Sequence, residues 1–464
     1  QMKEIVPRFL EKGEVDLAAG LADTVEDPFS RDLFLTQVAE KCSAIDDDEY
    51  AFQLIEAIED YGNQLRAREK VALQKAYKND LEKAFEIAEE LEHPDDVFSE
   101  VALREALRGD FSDALETLEE IEFPYAKVSA LQNIALVYIK NGEKENAVKL
   151  FEDAKKTAED IEFDIEKIRA LVEIGNNLLH TNEKGKAIET FDKVKSLAEN
   201  LDNIHRDSFL ADAALGFLQA GSLDLADRSL DLVGDKTQMI AALLGFSQYF
   251  HTNNEETEAQ ETLEEAYAIL KSQKDKETRD SRVRFRQWMA IAMTFANYEK
   301  DERALEIATE ITEETTQMSA LAQIAKIFAS KGKDDFAEQA VKAIGDEANK
   351  MFAFIGISDA KAEAELKEDA LKYLNEAYFH AGLVDRTALR SDAYNDLAKR
   401  FAAFDDKEKA REICAENLEI IPQIKDESVR AVNFAKLADV FDEAEFELND
   451  AEKDNLEVLL AKMQ

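Results

Sequence analysis

Apolar side chains recur along this chain at steps of three and four residues, most regularly between residues 129 and 154. Ile134 and Tyr138 lie on one face of a predicted helix, and Ala147 and Phe151 on one face of the next. An Asn-Gly dipeptide separates the two, and glycine readily adopts the left-handed conformation that ends a helix. The stretch therefore predicts a hairpin of two antiparallel helices, which cannot bury its apolar face without neighbours.

Copies of this hairpin recur from one end of the chain to the other. Each has a small residue at the place of Ala147, where the two helices of the hairpin close on one another. The equivalent alanines are Ala18, Ala51, Ala84, Ala114, Ala187, Ala226, Ala259, Ala304, Ala337, Ala370 and Ala410, with Ala451 or a neighbour ending the series. Most successive alanines are about 33 residues apart, and several are about 40 apart. The wider spacings predict second helices that are about two turns longer.

The pattern predicts an all-α fold, an α-solenoid of about thirteen stacked antiparallel helix hairpins. A solenoid grows by adding units, so we expect one array over residues 1–464 rather than several globular domains. Within it we expect compact repeats over 1–123, longer repeats over 124–270 and further repeats after a basic stretch over 271–445. The tail 446–464 reads as an amphipathic capping helix.

The repeats resemble the tetratricopeptide repeat, whose signature is W-x₂-L-G-x₂-Y, then Ala, an aromatic residue and Pro over about 34 residues. Trp288 stands at the Trp place of one copy, and Gly175 at the Gly place of another. Most copies lack the closing Pro. The resemblance implies a superhelix whose first helices line the inner surface and present their polar edge to a bound partner.

The composition restricts the possible partners. With 57 basic and 101 acidic residues the net charge is −44, which argues against nucleic acid or an anionic membrane as a partner, because both are bound mainly by neutralising phosphates. High-salt adaptation and a merely acidic surface both fit this charge. Cys42 and Cys414 lie in distant repeats and should not form a disulfide, so a reducing cytoplasm fits.

No arrangement of residues that would carry out catalysis stands out. The five histidines form no i, i+4 pair, neither cysteine lies in a CxxC motif, and no glycine-rich phosphate loop occurs. Aspartate runs at 46–48, 334–335 and 405–406 fall between the helices of hairpins, where capping explains them better than metal binding. We therefore expect a non-enzymatic protein with no catalytic residue, cofactor or metal.

The candidate partner-binding residues follow from the resemblance, as polar or adaptable side chains along the inner edge of the first helices. They are Arg169, Asn176, His180, Gln248, His251, Arg279, Arg282, Arg286, Met289, Met293, Asn297 and Lys326. The three closely spaced arginines followed by two methionines would suit a peptide with an acidic segment and an apolar anchor. The alternative is that glutamates between residues 255 and 264 neutralise the arginines internally.

The leading hypothesis is a protein–protein interaction scaffold that holds a peptide or helix of a partner in its concave groove. Two alternatives remain open: an all-helical toroid enzyme with an acid-lined pocket, and an acidic chaperone for basic proteins. The sequence does not specify the partner or the oligomeric state.

Overall fold

The computed structural model describes residues 2–202, 204–273, 281–447 and 453. The chain divides into two compact units, Met2–Tyr249 and Phe250–Gln464, and each is described by itself. Within the described ranges every regular element is helical and no strand occurs.

The helices of the first unit are Met2–Glu11 (α1), Val15–Asp23 (α2), Pro28–Ala44 (α3), Asp48–Ala57 (α4), Tyr61–Tyr77 (α5), Leu81–Ala88 (α6), Asp95–Arg108 (α7), Phe111–Thr117 (α8), Pro124–Lys140 (α9), Lys144–Thr157 (α10), Asp164–His180 (α11), Lys184–Glu199 (α12), Arg206–Gln219 (α13) and Leu223–Leu230 (α14). Helix α15, Lys236–Thr252, runs across the boundary. The helices of the second unit are Glu256–Ser272 (α16), Ser281–Asn297 (α17), Asp301–Thr309 (α18), Glu314–Ser330 (α19), Asp334–Lys342 (α20), Glu347–Glu363 (α21), Lys367–Gly382 (α22), Thr387–Ala403 (α23), Lys407–Ile420 (α24) and Glu427–Glu443 (α25).

Packing follows the order of the chain. In both units the odd-numbered helices, the first helices of the hairpins, pack against the even-numbered helices that follow them. Most also pack against the next odd-numbered helix, as α3 does on α5 and α19 does on α21. Helices that pack mainly on their neighbours in chain order form a solenoid, so the fold is the all-α solenoid that the sequence predicted. Successive even-numbered helices have no comparable contact within the described residues, so the odd-numbered helices form one layer of each unit, which we call the inner layer after the resemblance.

The predicted alanines occupy equivalent places in this stack. All twelve, from Ala18 to Ala410, are fully buried, and each is the fourth residue of its even-numbered helix. Ala451 lies outside the described residues.

The predicted difference in length between the second helices is also confirmed. The even-numbered helices that precede a wide spacing, α10, α12, α16, α22 and α24, have 14, 16, 17, 16 and 14 residues. The second helix of a compact repeat is much shorter, with 7 residues in α8.

A left-handed residue ends the first helix of each hairpin, five positions before the buried alanine. These residues are Gly13, Asp46, Asn79, Gly109, Gly142, Asn182, Gly221, Asn254, Glu299, Gly332, Glu365 and Asp405. At Gly142 the turn closes with two backbone hydrogen bonds, from Gly142 N to Ile139 O (2.9 Å) and from Glu143 N to Tyr138 O (2.9 Å). Glu445 makes one more left-handed turn of this kind, after α25.

The predicted capping helix at 446–464 lies mostly outside the described residues. Phe446 and Glu447 belong to no helix, whereas Lys453 is helical. The turn after α25 takes up Phe446 and Glu447, and the capping helix over the rest of the tail stays a prediction.

A recurring carboxylate fastens one hairpin to the next. Asp32, Asp95 and Asp207 stand near the start of three odd-numbered helices, and each accepts hydrogen bonds from two consecutive backbone N–H groups of the loop before the next odd-numbered helix. Asp95 Oδ1 lies 2.7 Å from Glu122 N and 3.0 Å from Phe123 N. Asp95 is buried, so its carboxylate satisfies two N–H groups that would otherwise lack a partner.

Replacing Asp95 by Ala should therefore lower the free energy of unfolding by about 2 kcal/mol, because two backbone donors lose their acceptor. Chemical denaturation measures the loss. The neighbouring Asp96→Ala is the matched control, since Asp96 is exposed and accepts no hydrogen bond of this kind within the described part of the chain. Equal losses in the two variants would mean that Asp95 acts through its charge at the helix start and not as a clamp.

Candidate partner-binding surface

The inner layer of the first unit holds four of the predicted binding residues. Arg169, Asn176 and His180 are exposed together along one edge of α11, and Gln248 is exposed on α15. Their spacing along α11 places them on one side of that helix, as the periodicity predicted. The structure thus leaves these polar groups accessible, and their role in binding stays a prediction.

The inner layer of the first unit also carries an apolar strip that the sequence analysis did not include. We use this name for Tyr77 of α5, Leu107 of α7 and Leu136 of α9, which are 45%, 48% and 43% exposed. The guanidinium of Arg104, on α7, lies 5.1 Å from the centre of the Tyr77 ring and ties the first two helices together. Large apolar side chains exposed on neighbouring packed helices are typical of protein-binding surfaces. Tyr77 and Leu107 stand at the same place in their repeats, two residues before the left-handed turn, and Leu136 stands one helical turn earlier in its own repeat. This register is the signal that could have found them.

The second unit holds the predicted stripe of arginines and methionines. On α17, Arg282 and Arg286 are exposed, and Met289 and Met293 are half-buried on the turns that follow. Asn297 is exposed at the end of the helix. Arg279 lies outside the described residues. The steps of three and four residues bring these side chains to one side of α17, in the inner layer.

Two of the glutamates proposed as internal partners of the arginines have other partners. Glu264 receives two hydrogen bonds from Arg303, at 3.0 and 2.8 Å. These bonds to Glu264 raise the pKa of the Arg303 guanidinium above its ordinary value. Glu256 lies 2.9 Å from Nδ1 of His251. Within the described ranges, neither Arg282 nor Arg286 makes an ion pair, so their guanidiniums stay available to a ligand.

His251 and Lys326 already have contacts within the second unit. The His251 ring stacks on Tyr298, with 4.0 Å between ring centres, in addition to its contact with Glu256. Lys326 extends over Gly356, and its Nζ lies 3.7 Å from Glu363 Oε1. A partner would have to compete with these contacts. We therefore regard Arg282 and Arg286 as the better candidates.

The aspartate runs have structural roles, as capping predicted. Asp47 and Asp406 accept hydrogen bonds from backbone N–H groups of the helices they precede. Asp46 and Asp405 occupy the left-handed turns. Asp48 has a different role, because it pairs with a buried lysine of the next hairpin at 2.6 Å.

The described residues contain no group of three or more potential ligands that could hold a metal ion. Cys42 and Cys414 are buried, and neither forms a disulfide within the described part of the chain. No helix in the described part of the chain is long and apolar enough to span a bilayer.

The helix order, the repeated turn and the packing of neighbours define the class: this chain is a helical repeat protein. No family model and no curated protein matches it. Ton1535 from Thermococcus onnurineus is 18% identical, with a TM-score of 0.27, over 77% of this chain and 98% of that chain. The apo form of RapI is 14% identical, with a TM-score of 0.31, over 73% of this chain and 95% of that chain.

A signal transduction ATPase from Pyrococcus horikoshii, which has a tetratricopeptide repeat sensor, is also similar. It is 14% identical, with a TM-score of 0.25, over 92% of this chain and 72% of that chain. TM-scores this low do not define a family or a function. The assignment to helical repeat proteins rests on the packing within each unit.

Proposed function

We propose that this protein is a non-enzymatic scaffold that binds a segment of another protein on the inner layer of its second unit. The observation that carries the proposal is the exposure of the Arg282 and Arg286 side chains and their lack of an ion pair within the described ranges. Both are exposed and, within the described ranges, without an ion pair, in a chain where acidic residues outnumber basic ones by 101 to 57. Cations left unpaired amid such an excess of carboxylates are available to an external anion.

The side chains around these arginines define the chemistry of the partner. A guanidinium forms forked hydrogen bonds with carboxylates, which favours an acidic segment. Met289 and Met293 follow on the same side of α17, and their flexible thioethers adapt to an apolar side chain of varied shape. The expected partner segment therefore has acidic residues followed by one apolar anchor.

We also propose that the repeats are of the tetratricopeptide type. Trp288 supports this assignment: it is buried at the place of the signature Trp, and its Nε1 donates a hydrogen bond to Ile307 O at 3.0 Å. This bond joins α17 to α18 within one hairpin. The buried alanine at the fourth position of each even-numbered helix supports the assignment in the same way.

An acidic chaperone for basic proteins is the second candidate, and the net charge of −44 favours it. The two functions differ in their dependence on salt. Binding through general charge should disappear as ionic strength rises and the Debye length shrinks. Binding through forked hydrogen bonds and an apolar anchor should weaken only in part. No observation favours the toroid enzyme.

The test begins with capture of partners from the source organism's lysate and their identification by mass spectrometry. Replacing both Arg282 and Arg286 by Ala should then weaken the affinity for the captured partner by about 2–4 kcal/mol, measured by calorimetry. The matched control is Arg386→Ala with Lys367→Ala. It removes the same charge from exposed positions of the same unit, where no ion pair occurs within the described residues.

The melting temperature of both double variants should equal that of the parent protein. If the Arg282 and Arg286 variant melted earlier and bound as well as the parent, the arginines would be structural. If both double variants lost affinity equally, general charge would account for the binding.

A further inference from the structure

A pocket occurs in the second unit, and we call it the outer pocket because most of its lining residues lie on even-numbered helices. It has a volume of about 400 Å³ and is lined by residues of α20 and α22, with Lys350 and Phe354 contributed by α21. Both even-numbered helices pack on α21, and Tyr373 of α22 also reaches Glu338 of α20. The volume falls within the range of small-molecule sites in proteins, about 300–1,000 Å³.

Cations surround this pocket in a chain that is otherwise acidic. Lys342 comes from α20, Lys350 from α21 and Lys372 from α22, so each of the three helices contributes one ammonium group. His380 of α22 also lines the pocket, and its Nδ1 is already in hydrogen-bond contact with Glu347. Among the lining residues lysines outnumber glutamates by three to two, and an excess of cations attracts anions.

Two of the three ammonium groups are accessible. Lys342 is exposed and makes no ion pair within the described ranges. Lys372 is also exposed, and its Nζ is only loosely paired, 3.5 Å from Glu338 Oε1. Lys350 is engaged more closely, 3.0 Å from Glu347 Oε1. Ion pairs near the surface contribute little free energy. An anion in the pocket can therefore replace the glutamates as partner of these lysines at little cost in stability.

An aromatic row forms one wall of the pocket. The Phe354 ring lies between Tyr373 and His380, with ring centres 6.2 and 5.2 Å apart and the planes nearly parallel. Lys372 Nζ covers Tyr373 at 4.6 Å from the ring centre. The aromatic wall gives the carbon atoms of a ligand an apolar surface to pack against.

Two glutamates also line the pocket and limit what it accepts. Glu338 accepts a hydrogen bond from Tyr373 Oη at 3.1 Å, so one of its oxygens is already used. Glu376 is exposed, and water and salt screen its charge.

We propose that this outer pocket binds a small organic anion with at least two carboxylate or phosphate groups. Its anionic groups contact Lys342 and Lys372 across the cavity, and its carbon atoms pack against Phe354. The bound anion would join α20, α21 and α22. The site is separate from the stripe on α17 and does not depend on partner binding there.

Isothermal titration calorimetry of the full chain tests the proposal with two probes, citrate for carboxylates and pyrophosphate for phosphates. We expect at least one of them to bind with a dissociation constant of about 1 mM or below, at about −4 kcal/mol. Replacing Lys342 and Lys372 together by Gln should weaken this binding at least about tenfold, because charge-assisted hydrogen bonds are lost. The control is Lys300→Gln with Lys367→Gln, two exposed lysines of the same unit outside the pocket.

Each result has one meaning. Binding of citrate alone or pyrophosphate alone identifies the anionic group, and loss in the pocket variant but not in the control supports the site. Absence of binding by both probes at millimolar concentration would overturn the proposal. Equal weakening in the two double variants would overturn it as well, because general charge would then explain the heat. Circular dichroism melting of both variants shows that the fold is retained.

Discussion

Replacement of Phe191 by Ala should lower the free energy of unfolding by about 4 kcal/mol, as expected for deleting a fully buried aromatic ring. The Phe191 ring, on α12, lies between two glycines of neighbouring first helices, Gly175 of α11 and Gly216 of α13. A Cβ added at Gly175 would lie 2.7 Å from the ring, and one added at Gly216 would lie closer still. The ring also meets Phe217 edge to face. It therefore joins two hairpins, and urea denaturation should show the loss.

Gly216→Ala tests the same contact from the other side. Alanine favours a helix over glycine by about 1 kcal/mol, so propensity alone predicts a more stable protein. Overpacking against Phe191 should outweigh this gain and give a net loss of about 1–2 kcal/mol. Gly185→Ala is the control, because a Cβ at Gly185 in α12 meets open space. If Gly216→Ala stabilised the protein as Gly185→Ala should, the ring would not be held between the glycines.

Asp212→Asn should raise the free energy of unfolding by about 2–3 kcal/mol at pH 7. Asp212 lies on α13, and within the described residues it has no hydrogen-bond partner. Burial raises its pKa from 3.8 to about 6. The folded protein therefore binds this proton more tightly than the unfolded chain, and folding near neutral pH buries an unpaired charge.

The sign of the pH dependence follows from the raised pKa. Below pH 3.8 the carboxyl is neutral in both states, and the substitution should have little effect. As pH rises from about 4 to 6 the parent protein loses stability relative to the Asp212→Asn variant, and above that the difference stays constant. Thermal melting of both proteins across this range measures the difference. Asp227→Asn, an exposed site on α14, should show no such trend; a gain at Asp212 that did not depend on pH would exclude the charge as its cause.

The helices could be predicted well from the sequence because one physical rule repeats. A buried alanine fixes where each second helix packs, so the distance to the next alanine sets that helix's length, as α8 and α10 show with 7 and 14 residues. The turns were less predictable. Glu299 and Glu365 adopt a left-handed conformation that their residue type disfavours, because the geometry of the hairpin imposes it.

Contacts between hairpins could not be predicted from the periodicity. The clamp at Asp95 depends on backbone groups 27 and 28 residues later in the chain, and nothing in the spacing marks them. For the candidate site, periodicity placed Arg282 and Arg286 on one edge of a helix. It could not show that His251 stacks on Tyr298, since that contact joins α15 to the turn after α17.

The outer pocket could not be found from the sequence for a related reason. Its three lysines belong to three helices, and the packing of α20 and α22 on α21 brings them to one pocket. A search along the chain finds basic residues that are close in sequence, such as those between 271 and 286.

Site-specific photo-crosslinking tests most directly whether the inner layer of the second unit holds the partner. A photoreactive benzoylphenylalanine replaces Met289 on α17 in one protein and Lys367, on the even-numbered helix α22, in another. Each is irradiated with the captured partner. We expect a crosslinked partner segment rich in acidic residues from position 289, and none from position 367. Crosslinking from 367 alone, or equally from both, would contradict binding on the inner layer.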